Sequence, residues 1–151
     1  MFIIMNLKDI NISSIFYSEK VKNTVMDDSN FVRIIYSNNL FTLNNIFISL
    51  IFNINNIERS FNKYKCILKH DSHNNKTNIE RIKYIEKNIL TNCNIKKKTP
   101  NYRISEQLNN GFLKLFKDFE CKEHNNFILK IYGIWETDIE YGITYKFEII
   151  Q

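Results

Sequence analysis

The sequence predicts a mostly β fold with one packed helix, arranged as a small five-stranded Greek-key barrel. Two observations predict it. Several short stretches alternate apolar and polar residues, the period of a half-buried strand. After the third of them the period changes once, to that of an amphipathic helix, and then returns to strands up to the end.

Each element has its own signal along the chain. "FVRIIYS" (31–37) is rich in β-branched and aromatic residues. It leads through "NNLFTLNN" into "IFISLIF" (46–52), and "KYKCILKH" (63–70) alternates as a third strand. The polar "DSHNNK" makes a loop. In "TNIERIKYIEKNILTN" the apolar residues Ile79, Ile82, Ile85 and Ile89 fall on one helical face. Thr77 or Asn78 is the expected cap, with Glu80 in the first turn, where negative charge is favourable. Isoleucine is a modest helix former, so this helix needs tertiary packing. Pro100 disfavours helix at Thr99, so "NIKKKTPNY" reads as a basic loop entering extended structure. "YRISEQLNNGFLKLF" contains a helical turn at "SEQL" or none, then a strand over 111–116. A hairpin closes the chain, with strands at roughly 127–135 and 142–150. Helix after the third strand suits a barrel of the oligonucleotide-binding (OB) type, in which a helix commonly caps the barrel between strands three and four. A general α+β sheet with one packed helix shares the same order.

The 151 residues suit a single domain, with an OB-like core over 31–151. Residues 1–30, which include "SSIFYSEKV", read as an extra strand or as the arm of a homodimer. There are 26 Ile and 23 Asn and no Ala. Ile, Asn, Lys, Phe and Tyr share AT-rich codons, which points to an AT-rich genome such as that of a virus or parasite. The net charge of +5 favours an acidic partner such as nucleic acid, although 17 of the 21 basic residues are Lys and codon bias raises their number. Cys66, Cys93 and Cys121 are odd in number and widely spaced, so neither a disulfide framework nor a zinc site is expected, and a reducing, intracellular compartment fits. No apolar run approaches the roughly 20 residues of a membrane span. "MFIIMNLKDINI" lacks the basic region and cleavage site of a signal peptide.

No catalytic constellation emerges. Three Gly residues do not make a phosphate loop. His70 and His73 are spaced as H-x-x-H in a polar loop without a further ligand and read as surface residues. Cys66 alternates with Tyr64 and Leu68 and reads as a core residue. Glu136, Asp138 and Glu140 surround the hairpin tip and read as keeping it wet. An enzyme such as a nuclease would need a carboxylate cluster that the spacing does not supply. No cofactor and no metal are expected.

What remains is a surface. By strict alternation, Lys63, Lys65 and Lys69 share one face of the third strand. Phe112, Lys114 and Phe116 share the outer face of 111–116. Lys130 and Tyr132 look outward from the first hairpin strand and Lys146 from the second, whose Ile143, Tyr145, Phe147 and Ile149 pack inward. Arg33 interrupts 31–37 in the same way. The loop "KKKTPNYR" adds Lys96, Lys97, Lys98, Tyr102 and Arg103, and Trp135 stands beside the hairpin tip. Cations that follow phosphates and rings that stack on bases are the composition of a single-strand-binding face. Lysine on the wet side of a strand also blunts edge pairing, so the repetition across strands carries the reading.

The closing segment "IYGIWETDIEYGITYKFEIIQ" resembles the last hairpin of phage-type single-stranded-DNA-binding proteins, a family also found in large DNA viruses. The matching positions are Trp135, Gly142, Ile143, Tyr145, Phe147 and Ile149 to Gln151. The resemblance implies an OB fold that coats single-stranded DNA in viral-type replication or recombination, at a viral replication site in the host cell. Family members usually carry an acidic C-terminal tail that recruits replication partners, and the sequence stops at Gln151. The expected partner is therefore single-stranded DNA, with RNA offering the same chemistry, and no membrane. The alternative is a structural or protein-interaction module of a viral or replication complex, whose outer aromatics pack against another protein.

Overall fold

A computed structural model describes residues 3–122 and 124–150. Gln151, the last residue of the hairpin resemblance, lies outside them. The strands in chain order are β1 (Ile4–Asn6), β2 (Ile15–Lys22), β3 (Asn30–Ser37), β4 (Thr42–Leu43), β5 (Ile46–Phe52), β6 (Ile54–Ser60) and β7 (Lys63–Leu68). Helix α1 (His73–Asn92) comes next, then β8 (Thr99–Asn101), α2 (Arg103–Asn109), β9 (Phe112–Leu115), β10 (Asn125–Glu136) and β11 (Glu140–Ile150). The mostly β class and the long helix after the third predicted strand agree with the sequence. The segment before residue 31 supplies two strands, and "SEQL" lies within a second helix.

The strand pairing corrects the five-stranded barrel. Eight strands form one sheet with the path β1-β5-β10-β11-β8, to which β2, β3 and β4 attach through β3. The other three form a separate sheet, β6-β7-β9. Strand β10 is the fork of the large sheet. One of its edges pairs with β11 from Asn126 to Glu136. Its other edge pairs with β5 over Asn125–Ile131 and then with β3 over Gly133–Glu136. The ladder shifts register between Ile131 and Gly133, at the point where the partner changes. Such a bulge bends a strand and re-aims the residues beyond it. Gly133 is required here: a Cβ would lie 2.3 Å from the Val32 carbonyl oxygen and 2.5 Å from the Phe31 ring.

The separation of the two sheets occurs at one residue. Asn53 stands between β5 and β6, and its backbone groups pair with α1 and with Lys69. Asn53 N–H donates to Oδ1 of Asn75 at 2.8 Å. Nδ2 of Asn75 donates to the Asn53 carbonyl at 2.8 Å and to the Lys69 carbonyl at 3.0 Å. The Asn53 carbonyl also accepts from Lys69 N–H at 3.0 Å. Asn75 is 2% exposed, a depth at which an amide persists only if it is hydrogen-bonded.

The same contacts move the start of α1. Ser72, rather than Thr77 or Asn78, is the cap, and its Oγ accepts from Asn75 N–H. Ser72 also donates to the Asn53 side chain at 2.7 Å. The apolar periodicity begins later because the first turn packs a polar residue, Asn75, against the strand switch. Further along, Ile82, Ile85, Ile89 and Leu90 are buried as the period requires, joined by Glu86. Cys66 lies in the core with its thiol pushed up to about 12 by burial. His70 and His73 are not buried. No helix of the described residues is long and apolar enough to cross a membrane.

Asn75→Ala removes three hydrogen bonds at this switch and is expected to lower the unfolding free energy by about 2–4 kcal/mol in urea denaturation. A loss under about 0.5 kcal/mol, the range of ordinary surface changes, would show that the switch does not depend on it.

Candidate nucleic-acid interface

Two clefts meet at Arg103 and Tyr145. The first, of about 640 Å³, is bounded by the β2–β3 connection, β3, β10 and β11. Its charged side chains are Lys22, Arg33 and Arg103, and its rings are Phe31, Tyr132, Trp135 and Tyr145. The second, of about 520 Å³, lies between α2 and the small sheet. It adds the cations Lys63, Lys65 and Lys114, the rings Tyr64 and Phe112, and the carboxylate of Glu106. The six cations of the combined groove thus face a single carboxylate.

Eight of the sequence-predicted residues come together here: Arg33, Lys63, Lys65 and Arg103, with Phe112, Lys114, Tyr132 and Trp135. Strand geometry explains the lower set. Lys65 and Lys114 stand directly opposite each other across β7 and β9. Like charges on one rung are destabilising. Glu58 stands on the far side of Lys65, yet the Lys65 ammonium lies over the Phe112 ring, 4.2 Å from its centroid.

The upper set is built differently from expectation. Trp135 does not present a free stacking face. It is 3% exposed, and the Arg103 guanidinium lies over its ring at 4.4 Å. Its other contact explains Gly142: a Cβ there would lie 2.7 Å from Cζ2 of the indole. The indole N–H is buried without a hydrogen-bond partner among the described residues.

Arg103 is itself held from beneath. The first turn of α2 donates Ile104 N–H and Ser105 N–H to the Glu86 carboxylate, at 3.0 and 2.8 Å, and the Ser105 hydroxyl donates to it as well. Tyr102, the helix N-cap, makes no side-chain cap of its own. Burial pushes the Glu86 carboxyl pKa up, against the pull of these donors.

The remaining predicted residues lie elsewhere. Lys98 is a structural cation rather than a phosphate contact. Its ammonium reaches Glu136 at 3.0 Å and the Thr137 carbonyl at 2.8 Å, while Lys20 reaches the other Glu136 oxygen at 2.6 Å. Glu136 is accordingly buried between two cations and does not wet the hairpin tip. Lys130 and Lys146 form a second opposed lysine rung, but Glu148 bridges them at 2.8 and 3.3 Å. Phe116 is exposed and lines a separate cleft with Lys146. Tyr102 and Tyr84 line a third cleft between α1 and α2. Lys69, Lys96 and Lys97 are exposed and line neither half of the groove.

Lys22, Phe31, Tyr64 and Tyr145 also line the groove and escape the sequence reading. Phe31 carries a usable signal, since it lies two residues from Arg33 on the same strand face. Strict alternation turns Tyr145 inward, but it is half-buried and its hydroxyl accepts from Gln107 at 3.3 Å. Among the described residues no three His, Cys, Asp or Glu side chains gather as a metal site. Comparison with protein families, with characterised proteins and with solved structures finds no match.

Two outcomes test this geometry. Gly142→Ala is expected to displace the indole, shift Trp135 emission to longer wavelength and cost about 1–3 kcal/mol of stability. An unchanged emission maximum would mean that the ring is not wedged there. For Glu136, burial alone would raise the carboxyl, but the ion pairs with Lys20 and Lys98 outweigh it and lower the pKa from its ordinary 4.5. Its stabilisation is therefore complete above that ordinary value and fades as pH falls through the lower folded value. The stability difference between wild type and Glu136→Gln should be full at pH 7 and shrink in acid. A constant difference down to pH 2 would contradict the assignment.

Proposed function

We propose that this protein binds single-stranded DNA without catalysis, along the groove formed by the two clefts. One observation carries the reading: six cations face one carboxylate and are interleaved with aromatic rings. Phosphates satisfy the cations, and unpaired bases supply flat faces to the rings. The contrast between the two lysine rungs supports it. Outside the groove, Lys130 and Lys146 share Glu148. Inside it, Lys65 and Lys114 oppose each other with no ion pair to either among the described residues, an arrangement that an incoming anion would relieve. The hairpin resemblance supports a role in viral-type replication or recombination. The OB likeness belongs to this proposal as chain order only: strands, a helix, then a closing hairpin.

Lys114→Glu puts an opposite charge beside Lys65. It is expected to stabilise the free protein by a few tenths of a kcal/mol to about 1 kcal/mol and to weaken oligo-dT binding. The triple variant Lys63→Ala, Lys65→Ala, Lys114→Ala should lower the slope of log affinity against log salt by about 2, at roughly 0.7 per lost phosphate contact on a single strand. Lys96→Ala with Lys97→Ala should change little. Labelled oligo-dT followed by anisotropy reads all three. Unchanged binding by the triple variant would remove the groove from the proposal, and a salt-resistant oligomer without DNA affinity would favour a protein-interaction module.

A further inference from the structure

We infer that Arg103, rather than Trp135, is the plane on which an unpaired base stacks at the centre of the groove, and that Glu86 is its positioning residue. This rests on the single-strand reading above and refines it. Trp135 has the ring area that base stacking uses, but β11 closes its edge at Gly142 and Arg103 occupies the ring face it reaches. A base reaching this point meets the exposed guanidinium first. A guanidinium is planar, weakly hydrated and stacks on aromatic faces. A layer of indole, guanidinium and base therefore uses both sides of one cation, as protein contacts to splayed-out bases do.

Position supports the assignment. Arg103 lines both clefts, so a strand passing from one to the other crosses it. Its backbone is fixed by a contact that a merely exposed phosphate-binding arginine would not need. Glu86, 1% exposed on α1, takes two backbone N–H groups and a hydroxyl from the residues immediately after Arg103. Burying a carboxyl is costly, and a local Ser or Asp cap would have served the helix alone. The distant carboxyl also locks the first turn of α2 to α1, and so fixes where Arg103 begins.

The test separates stacking from charge. Wild type, Arg103→Lys, Arg103→Ala and Glu86→Gln are titrated with oligo-dT and with an abasic oligonucleotide of equal length. Thermal unfolding is measured for each. A stacking plane predicts that Arg103→Lys, which keeps the charge, loses about tenfold or more on oligo-dT, as base stacking at one position requires, and nothing on the abasic strand. Arg103→Ala should lose at least as much on oligo-dT. Glu86→Gln should weaken oligo-dT selectively as well, whereas a purely structural role would lower the melting temperature and weaken both strands alike. Equal losses on the two strands, or an Arg103→Lys variant that binds oligo-dT like wild type, would overturn the inference and leave the groove reading standing. Failure of the wild type to bind either strand would overturn both.

Discussion

Between β5 and β6 the chain passes from the large sheet to the small one through a single residue, Asn53, and the amide of Asn75 makes that passage stable. A strand that leaves its sheet must find partners for the N–H and C=O it withdraws from the ladder. Here both are met by a side chain in the first turn of α1, while Ser72 caps the helix and holds the Asn53 side chain. The strand switch, the helix start and the end of β7 are thus one hydrogen-bonded unit. The small sheet leaves the large one at this unit, and its strands β7 and β9 carry Lys63, Lys65 and Lys114. The lower half of the groove therefore depends on a polar contact that has no chemistry of its own.

The distribution of acids obeys a related logic. Two carboxylates are placed where lysines would otherwise repel or lie buried: Glu136 between Lys20 and Lys98, and Glu148 between Lys130 and Lys146. Glu148 is held below the ordinary carboxyl range by its bonds to Lys130 and then Lys146. The Glu148–Lys130 pair crosses the hairpin, whereas the buried Glu136 ties the hairpin to β2 and to the segment before β8. The groove keeps its cations, with Glu106 as the one acid on its wall. The ion-paired lysines and the lysines that line the groove are thus different residues, which composition alone could not separate when most basic residues are Lys drawn from one codon pool.

Alternation and period were sufficient to locate β3, β5, β7, the hairpin and the buried face of α1, although Tyr64 and Tyr145, placed inward by alternation, line the groove. They failed where a residue's partner is distant in sequence. Lys98 reads as part of a basic loop until Glu136, 38 residues on, is brought to it. Glu86 lies on the buried stripe of α1 beside Ile85 and Ile89, yet only the start of α2 explains it. The fork of β10 was hidden for the same reason: its bulge is set by a change of partner from β5 to β3. Of the site, the cations on strands were legible because exposed lysines obey the strand period. Their convergence with Arg103 was not, because it depends on how α2 packs.

The residues that carry the family resemblance have a packing explanation. Trp135 and Gly142 face each other across the ladder, and the glycine is needed because the indole fills the space of its side chain. Any antiparallel hairpin that lays a tryptophan flat over its partner strand would require the same pair. The pair therefore describes a shape, and a shape can be shared by proteins with unrelated ligands. What distinguishes this hairpin is the guanidinium above the ring and the lysines beyond it. Arg103 covers the indole and Lys65 lies over Phe112, so each cation has one ring partner within the fold. Under the proposed reading, the nucleic acid supplies the flat, anionic partner that would lie against them.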